Sequence, residues 1–158
     1  MEITILAASG ATGLELTRQA LERGHTVTAI ARTPDRIAVP DSSRLIRVAA
    51  DVRDRHSIAT ALSGQKIVLS GLGIASGDKP GALTAGARAV VAGRPECVVW
   101  LGAYGTGPSA RVAGAATRTL LKMMGAALVV SRATVAAAML DEAENPAFAA
   151  MVAIPLER

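Results

Sequence analysis

Short β-branched runs alternate with helical stretches along almost the whole chain, and this alternation most narrows the folds open to it. Ile3-Thr4-Ile5-Leu6-Ala7 reads as a buried strand, and Leu14 to Arg23 as a helix closed by Gly24. Thr26 to Ile30 reads as a second strand stopped by Thr33-Pro34, and Leu45 to Val48 as a third, with a short helix from His56 to Leu62 behind it. Ile67-Val68-Leu69 is a fourth strand running into Gly71-Leu72-Gly73, Ala82 to Ala92 is helical, and Val98 to Leu101 is the fifth strand. Strands apolar on both faces and separated by helices predict an α/β fold, a doubly wound parallel sheet covered on both sides. In such a sheet the ligand site lies in the loops after the strand ends.

A length of 158 residues predicts one domain, residues 1–158, and a chain of that size buries roughly two thirds of its unfolded surface. With 51% hydrophobic and 19% charged residues the composition excludes a disordered protein. Trp100, Tyr104 and Phe148 are the only aromatic residues, so the core is built from Val, Ile, Leu and Ala. The net charge is +4, and apart from Lys66, Lys79 and Lys122 the basic residues are arginines scattered along the chain. A nucleic-acid binder would show a basic stripe interleaved with aromatics, so no nucleic-acid partner is expected. The longest plain apolar run, Met123 to Val130, contains Gly125 and falls short of the roughly 18 residues of a membrane helix, so no membrane partner is expected. The single Cys97 cannot form an internal disulfide, and no signal pattern opens the chain, which makes a reducing cytoplasm the expected location.

The most informative segment is Ala8-Ser9-Gly10-Ala11-Thr12-Gly13, between the first strand and the first helix. Glycines there let the backbone turn sharply and approach a pyrophosphate, while the helix N-terminus offers free N–H groups and the positive end of its dipole. Ser9, Gly10, Ala11, Thr12, Gly13 and Leu14 are therefore candidate cofactor-binding residues.

Gly10-Ala11-Thr12-Gly13 resembles the Gly-Ala-Thr-Gly fingerprint of atypical short-chain dehydrogenase/reductases. The nearest branch is the NAD(P)H-binding, NmrA-like group that includes the biliverdin-IXβ/flavin reductases. Ile30-Ala31-Arg32-Thr33-Pro34-Asp35-Arg36 looks like that branch's segment after the second strand, Asp51-Val52 like its Asp-Val, and Leu72-Gly73 like its loop after the fourth strand. Ser131-Arg132-Ala133-Thr134-Val135-Ala136, running on to Asn145-Pro146, resembles its C-terminal Ser-Arg-x-Asp-Val-Ala helix, with Met151 to Pro155 in place of the last strand. The resemblance implies a Rossmann-like fold and adds Asp51, Val52, Leu72 and Gly73 to the cofactor site, Asp51 accepting from the adenine amino group. Three departures stand out. The family's third glycine, counted three positions after Gly13, is Leu16, which predicts a first helix standing farther from the sheet. Leu101-Gly102-Ala103-Tyr104 lacks the serine expected after the fifth strand. Met124-Gly125-Ala126-Ala127-Leu128 joins two helices almost directly, so the family's substrate-covering segment is expected to be missing near 125–130.

An NAD site usually places an acid about 20 positions past the glycines, on the ribose 2′-hydroxyl. Arg32 stands there instead, with Arg36 one helical turn on. A guanidinium pairs well with a 2′-phosphate, which predicts NADP(H) as the cofactor, preferred over NAD(H). Asp51 has a second reading, as the cap of the helix beginning near Asp54.

The tyrosine–lysine acid of the main short-chain dehydrogenases is missing, because four residues after Tyr104 stands Pro108. Tyr104 still follows the fifth strand, where the resemblance positions nicotinamide and substrate, and it is the one candidate catalytic residue. His25 and His56 lie far apart and Cys97 is alone, so no metal site is expected. His25 reads as a polar residue at a helix C-terminus and Cys97 as core filling. The expected function is hydride transfer from NADPH to a small-molecule acceptor of flavin-like or other conjugated type, which needs little acid–base help. The alternative is a non-catalytic, NmrA-like dinucleotide-binding redox sensor. The Ala-rich helix from Thr134 to Leu140 offers either a homodimer interface or a core-packing stripe.

Overall fold

The computed structural model describes residues 1–73, 81–101 and 131–146. Among these residues five parallel strands form one sheet in the order β3-β2-β1-β4-β5. They are β1 (Glu2–Leu6), β2 (Thr26–Ala31), β3 (Leu45–Ala49), β4 (Ile67–Ser70) and β5 (Cys97–Trp100). The α-helices among the described residues are α1 (Ala11–Glu22), α2 (Arg55–Leu62), α3 (Ala82–Gly93) and α4 (Arg132–Glu144). This is the Rossmann-like doubly wound architecture: the chain steps outward from β1 to β3, then returns to place β4 on the other side of β1.

Alternation along the strands sends neighbouring residues to opposite faces, and helices cover both. Ile3, Ile5, Val27, Ala29 and Leu69 form one core with Leu16 and Ala20 of α1 and Ala136, Met139 and Leu140 of α4. Leu6, Ile30 and Val68 form the other with Ile58 and Leu62 of α2 and Val90 of α3. The stripe on α4 is thus taken up by core packing.

The sequence expectations are corrected in several places. The first strand ends at Leu6, because Ala7 leaves it at a φ of 58°, in the left-handed region. The first helix begins at Ala11 rather than Leu14, since Gly10, extended at φ −78° and ψ 162°, is its N-cap. Leu16 does not stand where a close-packing glycine is required: it is fully buried in the core. The fifth strand lies one residue earlier than expected, and Cys97 is only half-buried. Burial, with the nearby Glu142 charge second, still pushes its thiol pKa up. Tyr104, the 125–130 connection and Met151 to Pro155 lie outside the described residues.

His25 is more than a polar helix end. It is buried, and its Nε2 donates to Glu144 Oε1 on α4 at 2.7 Å. Arg23 Nη1 meets Asp141 at 2.7 Å and Glu144 at 3.1 Å, and Gln19 Nε2 donates to the Ala133 carbonyl at 2.9 Å. These contacts lay α4 alongside α1 in the same direction, so the first turn of α4 faces the end of the sheet where β1 delivers its loop.

Candidate functional site

The order of strands reverses between β1 and β4, and a groove of about 500 Å³ opens there beyond the carboxyl ends of the strands. The loop after β1 forms its floor. Gly10 N–H donates to the Ala7 carbonyl at 2.9 Å, closing a tight turn, and Ala8 N–H donates to Ile30 O at 3.0 Å, tying that turn to β2. Leu14 N–H donates to Gly10 O at 2.8 Å, the bond with which α1 begins. The N–H groups before it belong to the opening turn of the helix, which leaves its first donors without intrahelical partners.

Gly13 sets how closely α1 approaches the strand. A Cβ added there would fall 2.1 Å from the Ala7 carbonyl oxygen and 2.8 Å from Ala8 Cα. Turn, close-approach and helix-packing positions of a dinucleotide loop thus fall on Ala7, Gly10 and Gly13. The packing glycine sought at position 16 is Gly13, and an alanine occupies the turn position. The loop after β4 leans on the same point, where a Cβ at Gly71 would come 3.1 Å from Gly13 N.

Of the expected cofactor residues, Ser9, Gly10, Ala11, Thr12, Arg32, Arg36, Asp51, Val52, Leu72 and Gly73 all line the groove. Gly13 and Leu14 do not. Gly13 is buried beneath the loop as a spacer, and Leu14 spends its N–H within the helix and packs its side chain on the core.

Arg32 leaves the end of β2 exposed. A 3-10 turn, Pro34–Arg36, then folds Arg36 back, with its N–H on Thr33 O at 3.1 Å and the buried Ile37 as anchor. Asp51 is not the helix cap. Asp54 caps α2, accepting from His56 N at 3.0 Å and Ser57 N at 3.2 Å, while Asp51 Oδ1 accepts from Arg53 N at 2.9 Å in a turn at the groove wall. Asp51 is the only carboxylate among the described lining residues, against Arg32, Arg36, Arg53 and Arg132. The groove is suited to an anion.

Ala7, Arg53 and Ala82 line the groove without having been expected there, and so does Arg132, which the sequence offered only within the motif from Ser131 to Ala136 and with no site role. For Ala7 a signal existed, the three-residue spacing to Gly10 and Gly13.

The chain matches the family described as NAD(P)H-binding over residues 7–145. It belongs to that family. No curated protein sequence matches it. Solved structures with the same fold include a candidate epimerase from Bacteroides thetaiotaomicron, at 19% identity and a TM-score of 0.71, covering 93% of this chain and 92% of that one. A Rossmann-fold NAD(P)-binding family protein from Shigella flexneri gives 19% and 0.66, covering 92% of this chain and 87% of that one. Serine dehydrogenase from Escherichia coli gives 18% and 0.61, covering 92% of each. At these identities the likeness shows the fold. The resemblance to atypical short-chain dehydrogenase/reductases agrees with both findings, and a nicotinamide dinucleotide is the cofactor class of the family.

Proposed function

We propose that this NAD(P)H-binding chain is an NADPH-dependent reductase that delivers hydride to a flavin-like or other conjugated small-molecule acceptor. Its groove fits the dinucleotide: the glycine-shaped floor admits a pyrophosphate against the first turn of α1, which a Cβ at Gly13 would distort. The observation that carries the NADPH preference is Arg32 at the end of β2 with Arg36 folded back toward the same groove. Both guanidiniums would hold the 2′-phosphate, and Asp51, Val52 and Leu72 would border the adenine. A bound NADPH supplies the hydride, so this chain's part is to bind, orient and exclude water.

Titration with NADPH and NADH tests the assignment. A charge-assisted contact contributes about 1.5–3 kcal/mol, so NADPH should bind roughly ten- to a hundredfold more tightly, and Arg32→Ala should remove most of that difference. Equal affinity for the two dinucleotides in the unaltered protein would refute it. The sensor alternative draws support from Pro108, which stands where the lysine partner of Tyr104 would be. NADPH oxidation followed by absorbance with flavins and quinones separates the two readings: turnover favours the reductase, and tight binding without turnover favours the sensor.

A further inference from the structure

The cationic groups of the groove enter from two sides. Arg32 and Arg36 follow β2, and Arg53 follows β3. Arg132, the first residue of α4, reaches the same groove from a helix that packs against α1, β4 and β5. The switch point between β1 and β4 therefore separates Arg132 from the other arginines. With the dinucleotide's adenosine on the β2 side and its pyrophosphate against the α1 turn, the nicotinamide extends toward β4. Arg132 then stands at the end of the groove where the acceptor must lie. No carboxylate lines that end among the described residues. The helix start that carries it is placed by the register of α4 on α1 described above and by the Ser131 cap, whose Oγ accepts from Thr134 N at 3.1 Å.

Resting on the proposed dinucleotide orientation, we infer that Arg132 makes this end of the groove a subsite for the phosphate of the acceptor. A phosphorylated conjugated acceptor is then preferred to its neutral counterpart. A guanidinium can hold a phosphate through two parallel N–H bonds, and such contacts are stronger than neutral ones.

Riboflavin and FMN differ only in a phosphate, and quenching of flavin fluorescence reads their binding to the NADP⁺-saturated protein, in which the adenosine end is blocked. FMN should bind about tenfold or more tightly than riboflavin. In Arg132→Gln the two flavins should bind within about twofold of each other, while Arg132→Lys, keeping the charge but not the fork, should retain part of the difference. NADP⁺ affinity is measured on the same variants. If NADP⁺ binds but FMN and riboflavin bind the unaltered protein equally, or the difference survives in Arg132→Gln, the subsite is wrong and the dinucleotide reading stands. If Arg132→Gln instead weakens NADP⁺ tenfold, Arg132 serves the pyrophosphate and the acceptor subsite is overturned. Failure of NADP⁺ to bind at all would overturn the dinucleotide reading, and this one with it.

Discussion

The methyl group of Ala7 sits on a backbone that L-residues avoid, with φ at 58°. The left-handed conformation costs a residue with a Cβ about 1–2 kcal/mol, and glycine is free of that cost. Replacing Ala7 by glycine also loosens the unfolded chain, which takes back about 0.4–1 kcal/mol. Ala7→Gly should therefore stabilise the protein by about 0.5–1 kcal/mol, raising Tm by about 1–4 °C in a thermal melt. An unchanged or lower Tm would mean that the turn is not strained. Gly13→Ala should act in the opposite sense. Its new Cβ would meet the Ala7 carbonyl, backbone that cannot swing aside, at 2.1 Å. The helix-propensity gain of about 1 kcal/mol does not offset such overpacking, and we expect a net loss of about 2–3 kcal/mol in denaturant titrations together with lost dinucleotide binding. The loop was legible in the sequence because Gly10 and Gly13 carry their own mark. Its first position was not, because alanine gives no sign of a positive φ, and the fingerprint was therefore placed three residues late.

The elements themselves were legible because each strand is a short β-branched run between helical periods, and both faces of the sheet needed cover. What periodicity cannot give is which distant element reaches the site. Arg132 is separated from the phosphate loop by most of the chain, and only the register of α4 on α1 brings it to the groove. That register depends on Glu144. The hydrogen bond from His25 first, and those from Arg23 after it, hold its carboxyl below the usual range despite partial burial. A folded-state pKa below the unfolded value means stability that is present above the unfolded pKa, about 4.3, and lost as pH falls through the folded one. Glu144→Gln should accordingly cost about 1 kcal/mol near pH 7, with the gap to the unaltered protein closing below about pH 4.5. A gap that does not narrow at all as pH falls through the carboxylate range would show that the carboxylate is not the source. Across the sheet, Gly86 on α3 gives Leu72 its room, because a Cβ there would come 2.5 Å from Leu72 Cδ2 and 3.3 Å from Trp100 Cη2. A leucine tip can move, so Gly86→Ala should alter stability by no more than about 1 kcal/mol, the helix gain offsetting the crowding. Leu72 lines the groove, however, and its displacement should weaken dinucleotide binding severalfold. Unaltered affinity in that variant would place Leu72 outside the adenine contact.

At the scale of the whole molecule the groove lies on the seam between the two halves of the sheet, where only β1 and β4 pair directly. The loops that line it come from both halves: those after β2 and β3 on one side, and those after β4 with the start of α4 on the other. A dinucleotide lying across the seam would bind the folded state alone and stabilise the molecule as a unit. At a concentration of a hundred times Kd that stabilisation is about 2.7 kcal/mol, worth about 5–11 °C in Tm for a chain of this size. If the arginines after β2 discriminate ten- to a hundredfold, NADH at the same concentration stabilises by only about 0.4–1.4 kcal/mol. Thermal melts with equal NADPH and NADH should therefore separate by several degrees, and Arg32→Ala should bring the two curves together by lowering the NADPH melt to the NADH one. Raising ionic strength should narrow the separation as well, because the exposed guanidiniums of Arg32 and Arg36 are open to screening. If the curves for NADPH and NADH coincide at low salt, the 2′-phosphate is not read by this groove.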